Sequence, residues 1–402
     1  MNSRTKWLVV SASMCLTVFL LTGMMLGKSS DQSSDTYKHL KVFTEVVGHI
    51  KMEYVEEPDM KAVSLGALNG MLEAVDPFAS YMDAKQYQEY VKARDGHRAD
   101  VGLILSKKFG YLGVLDSIPN SPAAKAGLGY SDVIEGINGT SVRDMALATA
   151  YTLLQGDSGT TVELTVVRVR HPDPASISLM RAAVVLPPVA SKMLDGQVGY
   201  INIDAISPAL VKDAAAAIQK LQQNGAQKLV VDVRDCGTGS PDDGIALANL
   251  FLKQGRIASL KGQKYPQKNF EADPAKAITA LPLAVLINAG TADAAEILAS
   301  AVQDNKRGQL VGERSHGDAA LRQPITMEDG GVIILSVAKY FAADGKAIQD
   351  VGVTPATQVK EADIQVDYDD NGMPIAPSPD EVERKKTEND PVVKKALEVL
   401  KA

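Results

Sequence analysis

The sequence has few of the residues on which several functional classes depend. Only two of its 402 residues are cysteines, Cys15 and Cys236, so it can build neither a disulfide framework nor a multi-cysteine metal site. One tryptophan, seven phenylalanines and twelve tyrosines leave few aromatic side chains for stacking on bases, and a net charge of −7 opposes binding to a polyanion. These shortages argue against a disulfide-rich domain, a cysteine-based metalloprotein and a nucleic-acid-binding protein.

The rest of the composition is typical of folded globular domains. Apolar residues make up 45% of the chain and charged residues 23%, which is close to the average for such domains. The chain is also two to three times as long as a typical domain, so we expect two or three domains.

One long uncharged apolar segment lies near the N-terminus. Residues 7–27 contain no charge, follow Arg4 and Lys6, and are followed by Lys28. At about 1.5 Å per residue, this segment is long enough to cross the roughly 30 Å core of a bilayer. The basic residues before it predict a single-pass signal anchor in the inner (cytoplasmic) membrane, with the soluble part in the periplasm or another extracytoplasmic space. A cleaved secretory signal, which would release the chain, is the alternative.

The spacing of apolar residues divides the chain further. Helical periodicity is followed by short alternating strands, and then by buried strands that alternate with helices, a pattern typical of an α/β domain. The predicted units are an anchor and linker at 1–34, a helical region at 35–98, a small strand-rich domain at 99–172, an α/β core at 173–365, and an acidic tail with a last helix at 366–402.

Residues 99–172 resemble a PDZ domain. The resemblance rests on Ser121-Pro-Ala-Ala-Lys-Ala-Gly127 followed by Ser131-Asp-Val-Ile-Glu-Gly-Ile-Asn-Gly139. Such a module adds the C-terminal segment of a peptide to a sheet edge, while backbone N–H groups in a loop bind its carboxylate. The alternative is a PDZ-shaped spacer that binds no peptide. The predicted peptide-binding residues are Val101, Gly102, Leu103 and Ile104 on the loop and edge, with Ala148 and Tyr151 on the facing helix.

The order of the segments and several local motifs resemble the C-terminal processing (tail-specific) serine peptidases. Among these motifs are Asp76-Pro-Phe-Ala-Ser-Tyr-Met-Asp83, Val311-Gly-Glu313 and Gly352-Val-Thr-Pro355. The resemblance covers nearly the whole chain after the apolar segment. It implies an α/β fold with a crotonase/tail-specific-protease-like core, an inserted PDZ domain and an N-terminal helical segment.

The sequence departs from this family at the catalytic positions. The resemblance implies a serine nucleophile, a lysine base 25 residues later and a glutamine four residues beyond the lysine. Those positions hold Asp293, Asp318 and Arg322, at the same spacing. An aspartate supplies no hydroxyl to attack with, and near pH 7 it is a far weaker base than a neutral lysine. We therefore predict an inactive site filled by an ionic cluster, in which Arg322 lies between the two carboxylates.

The loop that would stabilise an oxyanion is altered as well. Arg234-Asp-Cys-Gly-Thr-Gly239 stands where the family has Arg-Asn-Asn-Pro-Gly-Gly. The resemblance places Gly239 and Ala294 at the positions whose backbone N–H groups would face the oxyanion. Only Gly239 of the Pro-Gly-Gly run is retained in register, so we expect the N–H geometry to be changed.

Two alternatives keep some chemistry at this site. Thr291, Ser315 or Ser240 would replace the nucleophile, with His316 as the base. In the other alternative, Asp293 and Asp318 would act as an acid–base pair or bind a divalent cation. The adjacent Arg322 argues against a cation.

The sequence thus predicts a membrane-anchored, extracytoplasmic pseudopeptidase that acts as an adaptor or scaffold. Its expected partners are protein C-terminal tails or a partner peptidase, bound through the PDZ domain, and a homodimer through residues 35–75 and 391–400 is implied by the family. No cofactor, metal or nucleic acid is expected. The alternative function is an active serine-type C-terminal processing endopeptidase with an atypical site.

Overall fold

The computed structural model describes residues 31–95, 99–108, 110–130, 132–143, 145–168, 171–361 and 390–401. The predicted anchor at 7–27 and most of the predicted acidic tail lie outside the described residues. Within these ranges, no helix combines the length and apolar character needed to span a bilayer. The chain forms two compact units, one up to Ala67 and the other from Leu68 onward.

Two helices open the described chain. Helix α1 spans Asp31–Glu53, and α2 spans Met60–Glu73. Helix α2 begins after Asp59, whose carboxylate accepts hydrogen bonds from the N–H groups of Lys61 and Ala62 at 2.9 and 3.1 Å. This carboxylate satisfies N–H groups that a helix start leaves without partners, which explains where α2 begins.

A short segment then leads into the PDZ domain. Strand β1 spans Ser80–Met82, and helix α3 spans Ala84–Asp95. The side chain of Asp76 shapes the turn before β1, because its Oδ1 accepts a hydrogen bond from the Phe78 N–H at 3.0 Å. Its Oδ2 accepts another from the N–H of Ser336, in the α/β core, at 3.1 Å. The Asp-Pro-Phe motif is thereby fixed to the core.

The PDZ domain is an antiparallel sheet covered by two helices. The strands lie in the order β2-β3-β4-β6-β7, with β5 beside β4, so β2 has a free edge. Its core is apolar and includes Leu112, Ile134, Leu154 and Leu164. The elements are β2 Leu103–Lys108, β3 Tyr111–Ser117, α4 Pro122–Lys125, β4 Val133–Ile137, β5 Thr140–Ser141, α5 Leu147–Leu154, β6 Thr161–Arg168 and β7 His171–Met180. Strand β7 pairs with β6 along its length, so this sheet extends past the expected boundary at residue 172 to Met180.

The α/β core is built on a mainly parallel sheet in the order β17-β14-β13-β10-β9-β8. Strand β8 is antiparallel to β9, and the other neighbours are parallel. Strands β9 and β13 are completely buried and mostly apolar, as expected for a parallel sheet covered on both faces. Its elements are β8 Ala190–Leu194, β9 Val198–Asn202, α6 Pro208–Gln223, β10 Lys228–Asp232, α7 Pro241–Asn249, β13 Leu283–Ile287, α8 Ala294–Asp304, β14 Gln309–Gly312 and β17 Thr357–Gln358.

A second, antiparallel sheet of the core carries part of the site. Strands β1, β16, β11 and β12 are neighbours in that order, and β15 also pairs with β16. The additional strands are β11 Arg256–Lys261, β12 Lys268–Glu271, β15 Ala320–Thr326 and β16 Val332–Phe341. Strand β15 brings Arg322 into the core, and β1 brings in the Asp-Pro-Phe motif from the other side of β16.

A buried ion network fixes the last helix, α9 (Pro391–Val399), to the parallel sheet. The guanidinium of Arg234 bonds both carboxylate oxygens of Asp232, at 2.9 and 2.7 Å, and also Asp390 at 2.8 Å and Glu361 at 3.0 Å. Asp390 in turn caps α9 by accepting a hydrogen bond from the N–H of Val392 at 2.7 Å. One cation therefore holds together the end of β10, the segment after β17 and the start of α9.

Replacing Arg234 with methionine should strongly destabilise this unit. Removal of the cation leaves three carboxylates in a buried site without their partner, a change that costs about 3–5 kcal/mol. The free energy of unfolding from urea titrations measures the effect. Arg143→Met, at an exposed position of the PDZ domain, is the matched control and should cost less than about 0.5 kcal/mol. Equal losses in the two variants would contradict this role for Arg234.

Candidate functional site

The candidate site lies at the carboxyl ends of three neighbouring parallel strands. The loop containing Gly239 follows β10, Asp293 follows β13, and Asp318 follows β14. Crevices outside the carboxyl ends of parallel strands are where open α/β sheets place their ligands. The structure thus brings together segments that are far apart in the sequence.

A single buried carboxylate, that of Glu296, links the two substituted catalytic positions. Its Oε2 accepts hydrogen bonds from the backbone N–H groups of both Asp293, at 3.2 Å, and Asp318, at 2.8 Å. Its Oε1 accepts one from the N–H of Gly317 at 2.7 Å and another from the hydroxyl of Ser315. Because the backbones of Asp293 and Asp318 share one acceptor, the two positions adjoin, as the family resemblance implies.

Asp293 has an unusual backbone conformation at the start of α8. Its φ of 49° and ψ of −114° lie outside the regions that L-residues ordinarily adopt. Such strained residues cluster at functional sites, where the surrounding structure holds them in place. The side chain is partly buried, and its Oδ1 atom has no hydrogen-bond partner among the described residues. The position thus keeps the sharp strand-to-helix turn of a nucleophile, although its carboxyl group supplies no hydroxyl.

Burial and neighbouring carboxylates shift the acidities in this cluster. Burial raises the pKa of Asp293 well above its usual range, the charge of Asp318 raises it further, and Arg322 opposes the change. Burial also raises the pKa of Glu296 to about 7, although the hydrogen bonds that it accepts favour its ionised form. Burial and charge repulsion thus favour the protonated, neutral form of Asp293.

Arg322 supplies the positive charge of the cluster. Its guanidinium forms an ion pair with Asp318 four residues earlier, and its central carbon lies 4.3 Å from the centre of the Phe78 ring. A cation above an aromatic face is stabilised by the negative potential of the ring. Arg322 therefore pairs with Asp318 and stacks on Phe78, and its charge acts on Asp293 from a greater distance.

The substitute nucleophiles considered above are engaged in the structure of the loops. The buried hydroxyl of Thr291 donates to the carbonyl of Val233 at 2.8 Å, and that of Ser315 donates to Glu296. The hydroxyl of Ser240 caps helix α7, donating to the carboxylate of Asp243 at 2.6 Å. None of these hydroxyls donates to His316 in the described part of the chain.

The predicted base, His316, packs against an aromatic ring. Its ring meets the edge of Phe78, with the centroids 6.5 Å apart and an angle of 84° between the planes. The hydroxyl of Thr238, in the oxyanion loop, has no hydrogen-bond partner among the described residues, so no base there activates it. The hydroxyls of Ser240 and Ser315 are thus committed to carboxylates, and that of Thr291 to a backbone carbonyl, in hydrogen bonds that hold the loops.

The predicted oxyanion positions, Gly239 and Ala294, do adjoin one another. Gly239 has a φ of 122°, and a Cβ atom there would lie 3.0 Å from the Cβ of Ala294 and 2.9 Å from the carbonyl oxygen of Ile206. Only glycine fits this conformation and this close approach. The N–H of Ala294 belongs to the first turn of α8, where backbone donors lack intrahelical partners. The two positions to which the resemblance assigns the oxyanion therefore lie side by side.

The predicted peptide-binding residues of the PDZ domain lie on two facing elements. Val101 and Gly102 form the loop before β2, while Leu103 and Ile104 begin the strand itself. Ala148 and Tyr151 belong to α5, which lies against β2, and the hydroxyl of Tyr151 is hydrogen-bonded to the backbone of Leu105. Ile104 also lies against the oxyanion loop, because its Cγ2 would be 3.2 Å from a Cβ atom at Gly237. The predicted groove is therefore adjacent to the candidate site.

Sequence reasoning missed Glu296 and Phe78, which organise the cluster. Glu296 lies three residues after Asp293, at the position from which an acidic side chain reaches back to the first backbone N–H of a helix. That spacing was the available signal. No signal near Phe78 in the sequence predicts its contact with Arg322, which depends on the pairing of β1 and β15 with β16. Among the described residues, no acidic, histidine or cysteine side chains form a cluster of three or more that would bind a metal ion.

Comparisons with known proteins agree with this architecture. A family model described as "Peptidase family S41" matches residues 197–359, a PDZ domain model matches residues 113–168, and a model of the "Activating protease CtpB N-terminal domain" matches residues 20–86. The chain is 30% identical to a carboxy-terminal-processing protease of Bartonella bacilliformis over 86% of this chain and 82% of that one. It is 29% identical to the carboxy-terminal processing protease CtpA of Bacillus subtilis over 87% and 74% of the two chains.

A solved structure of a C-terminal processing protease has a similar fold. The photosystem II D1 C-terminal processing protease superimposes with a TM-score of 0.67 at 27% identity, over 78% of this chain and 85% of that one. The protein thus has the α/β fold of a C-terminal processing protease, with a PDZ domain and N-terminal helices. The chain belongs to peptidase family S41, the family that its motifs resemble.

Replacing Asp293 with asparagine should change how stability depends on pH. In the unfolded chain the carboxyl group of Asp293 has a pKa of about 4. Because burial raises this pKa in the folded state, the folded protein keeps the proton on Asp293 at pH values at which the unfolded chain has lost it. The free energy of unfolding therefore falls as pH rises from about 4 to the folded-state pKa, and asparagine removes this loss. We expect Asp293→Asn to raise the melting temperature relative to the wild type more at pH 8 than at pH 4.5.

Calorimetry at the two pH values measures this difference. Asp213→Asn, on the exposed face of α6, is the matched control and should give the same small change at both. A melting-temperature difference for Asp293→Asn that does not grow with pH would show that this carboxyl group is not destabilised by its surroundings.

Proposed function

We propose that this protein is a membrane-anchored, extracytoplasmic pseudopeptidase of the C-terminal processing family. Its PDZ domain binds the C-terminal tails of other proteins or a partner peptidase, and the chain acts as an adaptor or scaffold. The observation that carries the proposal is the pair of aspartates, joined through Glu296, at the positions of the family's nucleophile and base.

The electrostatics of the cluster support the loss of proteolysis. Attack on a peptide bond needs a hydroxyl whose proton an adjacent base removes, and loss of either member lowers the rate by about 10⁴-fold or more. At this site, the first position holds a carboxyl group whose pKa is raised, and the second holds a carboxylate paired with Arg322. The nearby hydroxyls of Thr291 and Ser315 are committed to hydrogen bonds within the loops.

The PDZ domain supports the binding role. Strand β2 ends its sheet and presents a free edge to α5, which is the geometry that strand addition requires. The loop before it contains Gly102, whose φ of 80° turns the backbone just ahead of this edge. An extended tail with a free carboxylate is the ligand that fits an edge preceded by such a loop.

The proposed location rests on the sequence of residues 7–27. This uncharged segment, preceded by Arg4 and Lys6, would hold the chain in the inner membrane and place both the PDZ domain and the core outside the cytoplasm. The partners of the PDZ domain would then be extracytoplasmic proteins or the exposed tails of membrane proteins.

Restoring the family's residues tests the proposed loss of catalysis. Asp293→Ser, Asp318→Lys and Arg322→Gln together should create time-dependent cleavage of an unstructured protein that ends in apolar residues, about 10⁴-fold above background. Asp293→Ser alone is the matched control and should stay inactive, because no lysine takes the proton of the serine. Gel electrophoresis and mass spectrometry follow the products.

A second variant also restores the family's residues in the altered oxyanion loop. It adds Asp235→Asn, Cys236→Asn, Gly237→Pro and Thr238→Gly, so that the loop again reads as in the family. If neither folded variant cleaves, the assignment of these positions is wrong. Cleavage by the Asp293→Ser control would also contradict the account, because it would reveal a base other than residue 318.

Peptide binding tests the other half of the proposal. A fluorescent peptide with a free apolar C-terminus should bind the full-length protein at least about tenfold more tightly than its amidated twin, because amidation removes the charge that the loop N–H groups recognise. Fluorescence anisotropy measures both affinities. Equal affinities, or no binding, would reduce the PDZ domain to a spacer.

A further inference from the structure

The free edge of β2 is already occupied by a side chain of this protein. The hydroxyl of Tyr151 accepts a hydrogen bond from the N–H of Leu105 at 2.8 Å and lies 3.3 Å from the carbonyl oxygen of the same residue, to which it donates. Both backbone groups of Leu105 that face α5 are therefore bonded to one hydroxyl.

The loop before β2 is occupied in a similar way. The carboxylate of Asp100 accepts a hydrogen bond from the N–H of Gly102 at 2.9 Å. The carbonyl oxygens of Val101 and Gly102 are bonded to the N–H groups of Ala123, at 2.9 Å, and Ile118, at 2.8 Å. The carboxylate of Asp100 thus binds the N–H group of Gly102. In the proposed function, the C-terminal carboxylate of a tail would bind at this loop.

Strand geometry shows which part of a tail would meet Tyr151. In an antiparallel pair, residues that exchange both backbone hydrogen bonds recur at every second position. If the tail's carboxylate binds the loop at Gly102, its last residue lies opposite Leu103, and the residue two positions earlier lies opposite Leu105. That third residue from the C-terminus needs the two backbone groups that Tyr151 holds.

We propose that Tyr151 is a latch that closes the peptide-binding edge of β2, and that a C-terminal tail binds only by displacing the Tyr151 hydroxyl from Leu105. This inference rests on the proposed function of the PDZ domain as a receptor for protein tails. Asp100, which binds the loop's N–H group at Gly102, closes the carboxylate end of the same groove.

The surroundings of Tyr151 suit a latch that competes with the ligand. Its ring packs against the apolar core of the PDZ domain, and its hydroxyl reaches the backbone of β2 from α5. A bound tail would exchange two hydrogen bonds with Leu105 but would first break the two that Tyr151 makes. The latch therefore cancels much of the gain from strand addition at this position and lowers the affinity for tails.

The latch also differs from a pH switch. Burial raises the pKa of Tyr151 to about 12, and the charges of Asp318 and Asp100 act in the same direction, while the backbone hydrogen bond to Leu105 and the charge of Arg322 oppose the shift. The hydroxyl therefore keeps its proton at physiological pH, so that competition with a tail, and not ionisation, opens the edge.

Tyr151→Phe removes the latch and leaves the ring that packs in the core. The full-length variant should bind a fluorescent peptide with a free apolar C-terminus about fivefold more tightly than the wild type, because the tail no longer has to break the two hydrogen bonds of the Tyr151 hydroxyl. Tyr111→Phe, at an exposed position of β3, is the matched control and should leave the dissociation constant unchanged. Weaker or equal binding by Tyr151→Phe would overturn the latch, since the hydroxyl would then assist the ligand or be irrelevant to it.

Hydrogen exchange at the Leu105 amide separates the latch from the proposed function. The amide should exchange at least about fivefold faster in Tyr151→Phe than in the wild type or in Tyr111→Phe, as read by NMR on protein labelled at leucine. If the Leu105 amide exchanges faster in Tyr151→Phe but no variant binds the peptide, the proposed tail-binding function fails. The contact that closes the edge is established in that case. Unchanged exchange in Tyr151→Phe shows that the hydroxyl does not hold the edge, and the latch is then rejected whatever the peptide does.

Discussion

The buried carboxylate of Glu296 is the constraint on which the candidate site depends. It accepts hydrogen bonds from the backbones at 293, 317 and 318 and from Ser315, so it ties the start of α8 to the segment after β14. A buried carboxyl group is costly unless its oxygens are bonded, and here four donors from two loops bond them. This side chain therefore fixes the distance between the two positions at which the family places its nucleophile and its base.

The chain thus has the scaffold of a C-terminal processing protease and carries aspartates at the two positions where the resemblance implies a nucleophile and a base. The strained turn at Asp293, the close approach of Gly239 to Ala294 and the placement of the PDZ domain beside the oxyanion loop are all present. The proton-transfer pair is replaced by Asp293 and by Asp318 in its ion pair with Arg322. The hydrogen bonds to Glu296 come from the backbones at 293 and 318, so they do not depend on which side chains those positions carry.

Local signals explain how much of the fold the sequence predicts. Helix α6 begins and ends at local sequence signals, because Ser207 and Pro208 begin it and Asn224 and Gly225 end it. Helix α5 begins only at Leu147, although the apolar residues before it start at Val142, since the N–H of Val142 is bonded to Glu135 of β4 and the chain first makes a turn. The family resemblance located Asp293, Asp318 and Arg322. The spacing of Glu296 from Asp293 is a local signal for one of its hydrogen bonds. The other bonds of Glu296 and the contact of Phe78 with Arg322 arise from tertiary packing, which no local pattern encodes.

In the PDZ groove, too, a tertiary contact could not be predicted from the sequence. Tyr151 was predicted from the sequence as a residue of the facing helix, and the structure places it there. That its hydroxyl reaches the backbone of Leu105 depends on how closely α5 approaches β2, which the sequence does not specify. A residue predicted to contact a peptide therefore makes hydrogen bonds within the chain instead.

The central claim is that no hydroxyl in this cleft acts as a nucleophile. The most direct measurement is to incubate the full-length wild-type protein and its Asp293→Ala variant separately with an unstructured protein that ends in apolar residues, and to follow the substrate by mass spectrometry. The account predicts that the substrate stays intact with both proteins over a period in which an active family member degrades it. Time-dependent cleavage by the wild type that is lost in Asp293→Ala would contradict the account.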